Sequence, residues 1–139
     1  MEKLAHVLLV DDDETTNFLN EHLLRKLNVT DRVQVVHSGE EAIALLTQLP
    51  PYMPALLLLD VNMPGMGGIA FLEAYRCLPP AQQAATKIVM LTTSMASHDL
   101  GRLDELPVAG LVSKPLNRAK IATLLHLHFH RSLPPEGSA

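Results

Sequence analysis

Apolar residues in this chain fall into five short runs separated by longer stretches with a three-to-four-residue repeat. The runs are His6-Val7-Leu8-Leu9-Val10, Arg32-Val33-Gln34-Val35-Val36, Leu56-Leu57-Leu58-Leu59-Asp60, Lys87-Ile88-Val89-Met90-Leu91-Thr92 and Val108-Ala109-Gly110-Leu111-Val112. The second run is predicted as a strand from its β-branched content. An unbroken apolar run of this length, bounded by turn residues, predicts a buried strand, as in the first and third runs. The four consecutive leucines that run into Asp60 are the clearest case. They are followed by Val61-Asn62-Met63-Pro64-Gly65, where Pro64-Gly65 and then Gly67-Gly68 signal a turn.

Between the runs the period changes to that of helices. Phe18, Leu19, His22, Leu23 and Leu27 form the expected apolar stripe of a helix over about Glu14 to Leu27, with Asn28 as its C-terminal cap. Ser38, three residues before Glu41, has the spacing of a capping box. It opens a second helix whose buried face is expected to be Ala42, Ile43, Leu45, Leu46 and Leu49, ended by Pro50-Pro51 and Pro54. A third helix is predicted from Gly68 to Leu78, stopped by Pro79-Pro80. A short fourth follows around His98 to Leu106. Asn117 caps a final helix running to about Phe129, and residues 131–139 are expected to be a frayed tail. Five strands alternating with five helices define an α/β fold. It is a doubly wound parallel sheet, covered by helices on both faces and connected by right-handed crossovers. Residues 4–130 form one domain on this reading, with no internal repeat.

Parallel strands place all their carboxyl ends on one edge, where open α/β sheets bind ligands. Strand one ends in Asp11-Asp12-Asp13, strand three in Asp60, strand four in Thr92-Thr93-Ser94 and strand five in Ser113-Lys114. Taken singly, each has an ordinary explanation. Acids after a strand commonly solvate a helix N-terminus, and an aspartate at a strand end is commonly a turn residue. Thr92 alone is a strand residue and Lys114 alone a surface lysine. Together, at four strand ends of one sheet, they make a site. Clustered carboxylates need a positive partner, and hard oxygen donors beside phosphate suit Mg²⁺. A hydroxyl and an ammonium can hold the remaining phosphoryl oxygens, leaving Asp60 as a nucleophile that forms an aspartyl phosphate.

Composition narrows the setting. The chain has 139 residues, enough for one domain, and 47% are hydrophobic, which argues against disorder. A net charge of −4 argues against non-specific nucleic-acid binding. The single cysteine, Cys77, suits a reducing cytosol. It is expected to pack on its helix beside Leu78. No apolar run approaches the roughly 20 residues of a membrane helix, and the N-terminus makes a poor signal peptide. A cytoplasmic location is expected.

The set Val10-Asp11-Asp12, Asp60-Val61-Asn62-Met63-Pro64-Gly65, Leu91-Thr92 and Lys114-Pro115 resembles the receiver domain of two-component response regulators, the family of the bacterial chemotaxis regulator. The resemblance covers about residues 4–130. It implies a flavodoxin-like strand order of 2-1-3-4-5 and a signalling role rather than enzymatic turnover. Asp60 would be the phosphoacceptor, with Mg²⁺ held by Asp11, Asp12, Asp60 and the Asn62 carbonyl. Thr92 would be the switch hydroxyl, Lys114 the phosphate-binding ammonium, and the Lys114–Pro115 bond cis. Asp13 has no family role, and helix solvation explains it. The donor would be a histidine kinase or a histidine phosphotransfer protein in a two-component system or phosphorelay. The face built from the helix near 98–106, the fifth strand and the last helix would be read by a downstream protein. After Phe129 there is room only for a tail, so output is expected from another protein.

One position departs from the family. Leu111 stands where an aromatic residue often precedes the lysine by three positions. Asn62 and Ser94 occupy positions that affect phosphoryl lifetime in the family.

Other readings are weaker. A haloacid-dehalogenase-type phosphatase also uses an aspartate nucleophile. It expects a second aspartate two residues later, where this chain has Asn62, and it places its nucleophile on the first strand. A receiver detached from a DNA-binding regulator lacks support, because neither a helix-turn-helix nor a basic patch is present. A phosphate-independent binding domain does not need the full acid, threonine and lysine set. His126, His128 and His130 read as cations at a helix C-terminus rather than a metal site, for want of a nearby acid or thiol. Met63, Met66 and Met95 read as loop packing or a partner surface.

Overall fold

The computed structural model describes residues 3–50, 52–61, 63, 65–93 and 106–133. Five strands form one sheet: β1 (Val7–Val10), β2 (Val33–Val36), β3 (Leu56–Asp60), β4 (Lys87–Thr92) and β5 (Gly110–Ser113). All pairs are parallel and the spatial order is β2-β1-β3-β4-β5, as the family resemblance implies. Among the described residues the helices are α1 (Glu14–Lys26), α2 (Gly39–Leu46), α3 (Gly68–Tyr75), α4 (Pro80–Ala85) and α5 (Arg118–Phe129).

Side-chain alternation along the strands divides the core in two. Leu8 and Val10, Leu57 and Leu59, Ile88 and Met90 point to one face, under Ala42 and Leu46 of α2 and Phe71, Leu72 and Tyr75 of α3. Val7 and Leu9, Leu56 and Leu58, Val89 and Leu91 point to the other. There they meet Leu24 of α1 and Ile121, Leu124 and Leu125 of α5. Period-2 alternation in strands with both faces covered is why the sequence shows unbroken apolar runs. Every residue of β3 is buried.

Helix ends follow from local chemistry. Ser38 Oγ accepts the Glu41 N–H at 3.1 Å, but the Glu41 carboxylate reaches back to the His37 N–H at 2.9 Å rather than to Ser38 itself. The predicted capping box is thus displaced by one residue on its return arm. Asn28 has φ 58°; its N–H bonds the Arg25 carbonyl and the Val29 N–H bonds the Leu24 carbonyl. This paired pattern is a Schellman end, which favours a residue tolerant of the left-handed region. Asn117 Oδ1 accepts the Lys120 N–H at 2.9 Å and opens α5 where the sequence places it.

Several expectations are corrected. Phe18 and Leu19 are 69% and 57% exposed. The inward stripe of α1 is instead Asn17, Asn20 and Leu24, with Leu23 and Leu27 at its margin. Asn17 donates to the Asp11 carbonyl at 2.8 Å, so a polar residue occupies the stripe because it serves the backbone.

The α2 helix ends at Leu46, and Leu49, beyond it, is 93% exposed. The α3 helix ends at Tyr75, so Cys77 lies past the helix and is exposed rather than packed. The α4 helix begins at Pro80, which the periodicity does not predict, because a proline pair reads as a stop. Proline is nonetheless well suited to a first helical turn. β5 starts at Gly110 and ends at Ser113, two residues later than the predicted start.

The predicted helix near 98–106 lies outside the described residues except for Leu106, which is buried. The segment after α5 is less loose than expected up to residue 133. The Arg131 N–H bonds the Leu125 carbonyl at 3.2 Å, and Leu133 packs on the α1–α5 side.

Candidate functional site

The site is a product of register. Val10 pairs with Leu59, and Asp60 pairs with Leu91, so the ends of β1, β3 and β4 are level. Val112 pairs with Leu91. Continuing the alternation, residues 11, 60 and 114 all fall on the parity that faces α1 and α5. One ammonium and two carboxylates therefore meet at the carboxyl edge of the sheet.

Lys114 Nζ lies 3.0 Å from Asp11 Oδ2 and 3.0 Å from Asp60 Oδ1. Asp11 and Asp60 are buried, at 3% and 5% exposure. Asp12 is exposed, and carboxylate oxygens of Asp11, Asp12 and Asp60 come within 4.8 Å of one another. Three hard oxygen donors at this spacing fit a small divalent cation. Burial works to depress the Lys114 pKa, but hydrogen bonds and charge from Asp11 and Asp60 outweigh it and hold the pKa above the ordinary lysine value. The ammonium is thus the counter-ion of the cluster.

The supports are built from the backbone. Asp11 Oδ1 accepts the Asp13 N–H at 2.9 Å, and the Asp11 N–H bonds the Val36 carbonyl at 3.2 Å. Asp13 is the N-cap of α1: its carboxylate accepts the Thr15 and Thr16 N–H groups at 3.4 and 3.3 Å. The Thr16 hydroxyl is the main cause of its lowered pKa, opposed by burial and reinforced by those two backbone bonds. Thr92 is buried at the end of β4, paired in register with Ser113, and its carbonyl accepts the Lys114 N–H at 2.8 Å. The Lys114–Pro115 bond is cis. Asn62, Ser94 and Met95 lie outside the described residues.

The loop after Asp60 is pinned at close quarters. The Gly68 N–H bonds the Val61 carbonyl at 3.0 Å. A Cβ on Gly68 would stand 2.9 Å from Met90 Cε, 3.0 Å from Val61 Cα and 3.1 Å from the Asp60 carbonyl. Only glycine lets α3 begin this near the strand. Glu40 Oε1 accepts the Met66 N–H at 3.3 Å, tying the loop to the start of α2. Met63 is buried in the core and Met66 packs at its edge.

Three residues outside the sequence-derived set also support the site. They are Asn17, Glu40 and Lys120, whose ammonium bonds the carbonyls of Ser113 and Pro115 at 2.7 and 2.9 Å. None of the three is marked by hydropathy. Asn17 shares one helical face with Asn20 and Leu24, where polar residues interrupt the apolar pattern.

The C-terminal histidines form no such cluster. His126 and His130 are exposed, and no metal-binding group among the described residues includes them. His128 is partly buried; burial first, then the Lys87 charge, lowers its pKa.

The response regulator receiver domain family matches this chain over residues 7–126. The probable chemotaxis protein CheY of Rhizobium etli is 29% identical over 123 residues, covering 88% of this chain and 91% of that protein. The protein-glutamate methylesterase/protein-glutamine glutaminase 2 of Burkholderia thailandensis is 31% identical over 113 residues, covering 81% of this chain but 30% of that longer protein. A crystal structure of a two-component response regulator from Cytophaga hutchinsonii superposes with a TM-score of 0.81 at 28% identity, covering 94% of this chain and all of that one. The chain belongs to the response regulator receiver domain family, the signal-receiving domain of two-component systems.

Proposed function

We propose that Asp60 is the phosphoacceptor of this receiver and that the domain spans residues 4–130, followed by a short tail at 131–139. The observation that carries the reading is the meeting of Asp60 with Lys114 at 3.0 Å inside a three-carboxylate cluster. An Asp60 oxygen attacks the phosphorus of the donor. The bond from phosphorus to the donor's imidazole nitrogen, or to the acetate oxygen of acetyl phosphate, breaks, and the leaving group takes the electron pair. The product is an acyl phosphate. Asp11, Asp12 and Asp60 would hold Mg²⁺, with Asn62 as the further ligand that the family pattern implies, and the ion would supply charge neutralisation for the phosphoryl oxygens. Lys114 shifts from the Asp60 carboxylate to the new phosphoryl group, and the Thr92 hydroxyl donates to another of its oxygens. The supporting chemistry is positioning and charge, which is most of what phosphoryl transfer needs.

A histidine kinase or histidine phosphotransfer protein is the donor in this reading, and the protein is a cytoplasmic signalling switch without a turnover reaction of its own. The added charge of about −1.5 to −2 biases the face that carries β5 and α5. A groove of roughly 480 Å³ runs along that face beside Leu111, Thr123, Leu127 and His128. Leu111 is 42% exposed there, available to a downstream protein where an inward aromatic is missing.

The test is incubation with acetyl phosphate and Mg²⁺ followed by intact mass spectrometry. One phosphoryl group, stable in acid and lost in alkali, is expected on the wild type and absent from Asp60→Asn. Labelling that persists in Asp60→Asn would move the acceptor elsewhere. Excess chelator is expected to abolish labelling while leaving the far-UV circular dichroism unchanged.

A further inference from the structure

We propose that Lys120 is a positioning residue for the phosphoryl-binding ammonium, a role that rests on the phosphoacceptor reading of Asp60. Lys120 stands in the first turn of α5. A cation there is at the unfavourable end of the helix dipole, so its position needs another cause. The cause is visible in its partners. Its Nζ donates to the Ser113 carbonyl at 2.7 Å and to the Pro115 carbonyl at 2.9 Å. Those two carbonyls bracket Lys114, whose own ammonium spans Asp11 and Asp60.

Two charge-assisted bonds thus close a brace around a three-residue segment. The lower end of the brace is fixed as well. The Lys120 N–H is held by the Asn117 side chain at 2.9 Å, and the Lys114 N–H is held by the Thr92 carbonyl at 2.8 Å. Segment 113–115 is therefore fixed to β4 on one side and to α5 on the other. Without the Lys120 ammonium, the α5 attachment loses both of its bonds and the origin of the Lys114 side chain is held on the β4 side alone. The ordinary alternative is a solvated lysine whose bonds carry no consequence, since exposed ion contacts contribute little. The two readings differ in what they predict for Lys114.

The variants are Lys120→Met and Lys120→Gln, which remove the charge, and Lys120→Arg, which keeps it. Two quantities are read: the rate of labelling by acetyl phosphate with Mg²⁺, and hydrogen exchange of the Lys114 backbone amide by NMR. Both neutral variants are expected to label roughly tenfold more slowly and to exchange the Lys114 amide roughly tenfold faster, the scale of a lost charge-assisted bond. Lys120→Arg is expected to recover both to within about threefold, because a guanidinium can also donate to two carbonyls. Unchanged Lys114 exchange in the neutral variants, or an equal loss in Lys120→Arg, overturns the proposal. A wild type that takes no label overturns the phosphoacceptor reading instead, and the exchange measurement then still decides whether the brace exists.

Discussion

Lys114 is the residue on which the site's charge balance turns. Its raised pKa means that its protonated form is favoured by folding. The stabilisation from its ion pairs is therefore fully present below the ordinary lysine value of 10.5 and is lost only as pH rises through the higher folded value. Around neutrality the ammonium is always charged. Lys114→Met leaves three carboxylates facing one another. Its thermal midpoint in chelator is expected to fall by the equivalent of about 1–3 kcal/mol, and millimolar Mg²⁺ is expected to restore more of the midpoint than it adds to the wild type. Equal responses to Mg²⁺ in calorimetry would show that the lysine does not neutralise the cluster. His128 has the opposite sign. Burial and the Lys87 charge disfavour its charged form, lowering its pKa from 6.5. Protons therefore bind the unfolded chain first, and stability falls as pH drops below about 6.5 until the depressed folded value is passed. The urea midpoint of His128→Gln is expected to drop less than that of the wild type between pH 7.5 and 5.5.

At the scale of elements, backbone conformation decides more than hydrophobicity does. Asn28→Ala keeps a Cβ at φ 58° but removes the short polar side chain that tolerates the left-handed region, and is expected to cost about 1 kcal/mol in denaturant unfolding, whereas Asn28→Gly stays within a few tenths. Gly68→Ala forces the start of α3 away from Val61 and the Asp60 carbonyl. A loss of about 1–3 kcal/mol is expected from the overpacking, together with slower labelling of Asp60, since the strand end itself must shift. β1, β3 and β4 were legible because both of their faces are buried, so each reads as an apolar run. The outer strands β2 and β5 are only partly buried and were legible instead from their valines and leucine. The α1 stripe was not, because its inward positions include Asn17, whose amide serves the Asp11 carbonyl; hydropathy cannot distinguish a polar residue facing water from one bonded to a buried backbone. The α4 helix was hidden behind the prolines that begin it. Asp11, Asp12, Asp60, Thr92 and Lys114 were legible because each ends a strand, and parallel topology carries strand ends to one edge. Glu40 and Lys120 were not, because they act on backbone carbonyls and N–H groups that leave no mark in the sequence.

At the scale of the molecule, two apolar layers are sealed on either side of one sheet, and the cluster of Asp11, Asp12, Asp60 and Lys114 lies at its carboxyl edge. The margins of the sheet are as consequential as its centre. β2 and β5, the two outermost strands, are four residues long each. Short outer strands offer few unpaired peptide groups to another chain. Contacts made through side chains alone can form and part again. Margins this short disfavour the alternative, in which neighbouring molecules extend one another's sheet and stay joined. Concentrated samples are accordingly expected to remain free of thioflavin-binding aggregates, and lengthening β5 with alternating valines and threonines is the change most apt to produce them.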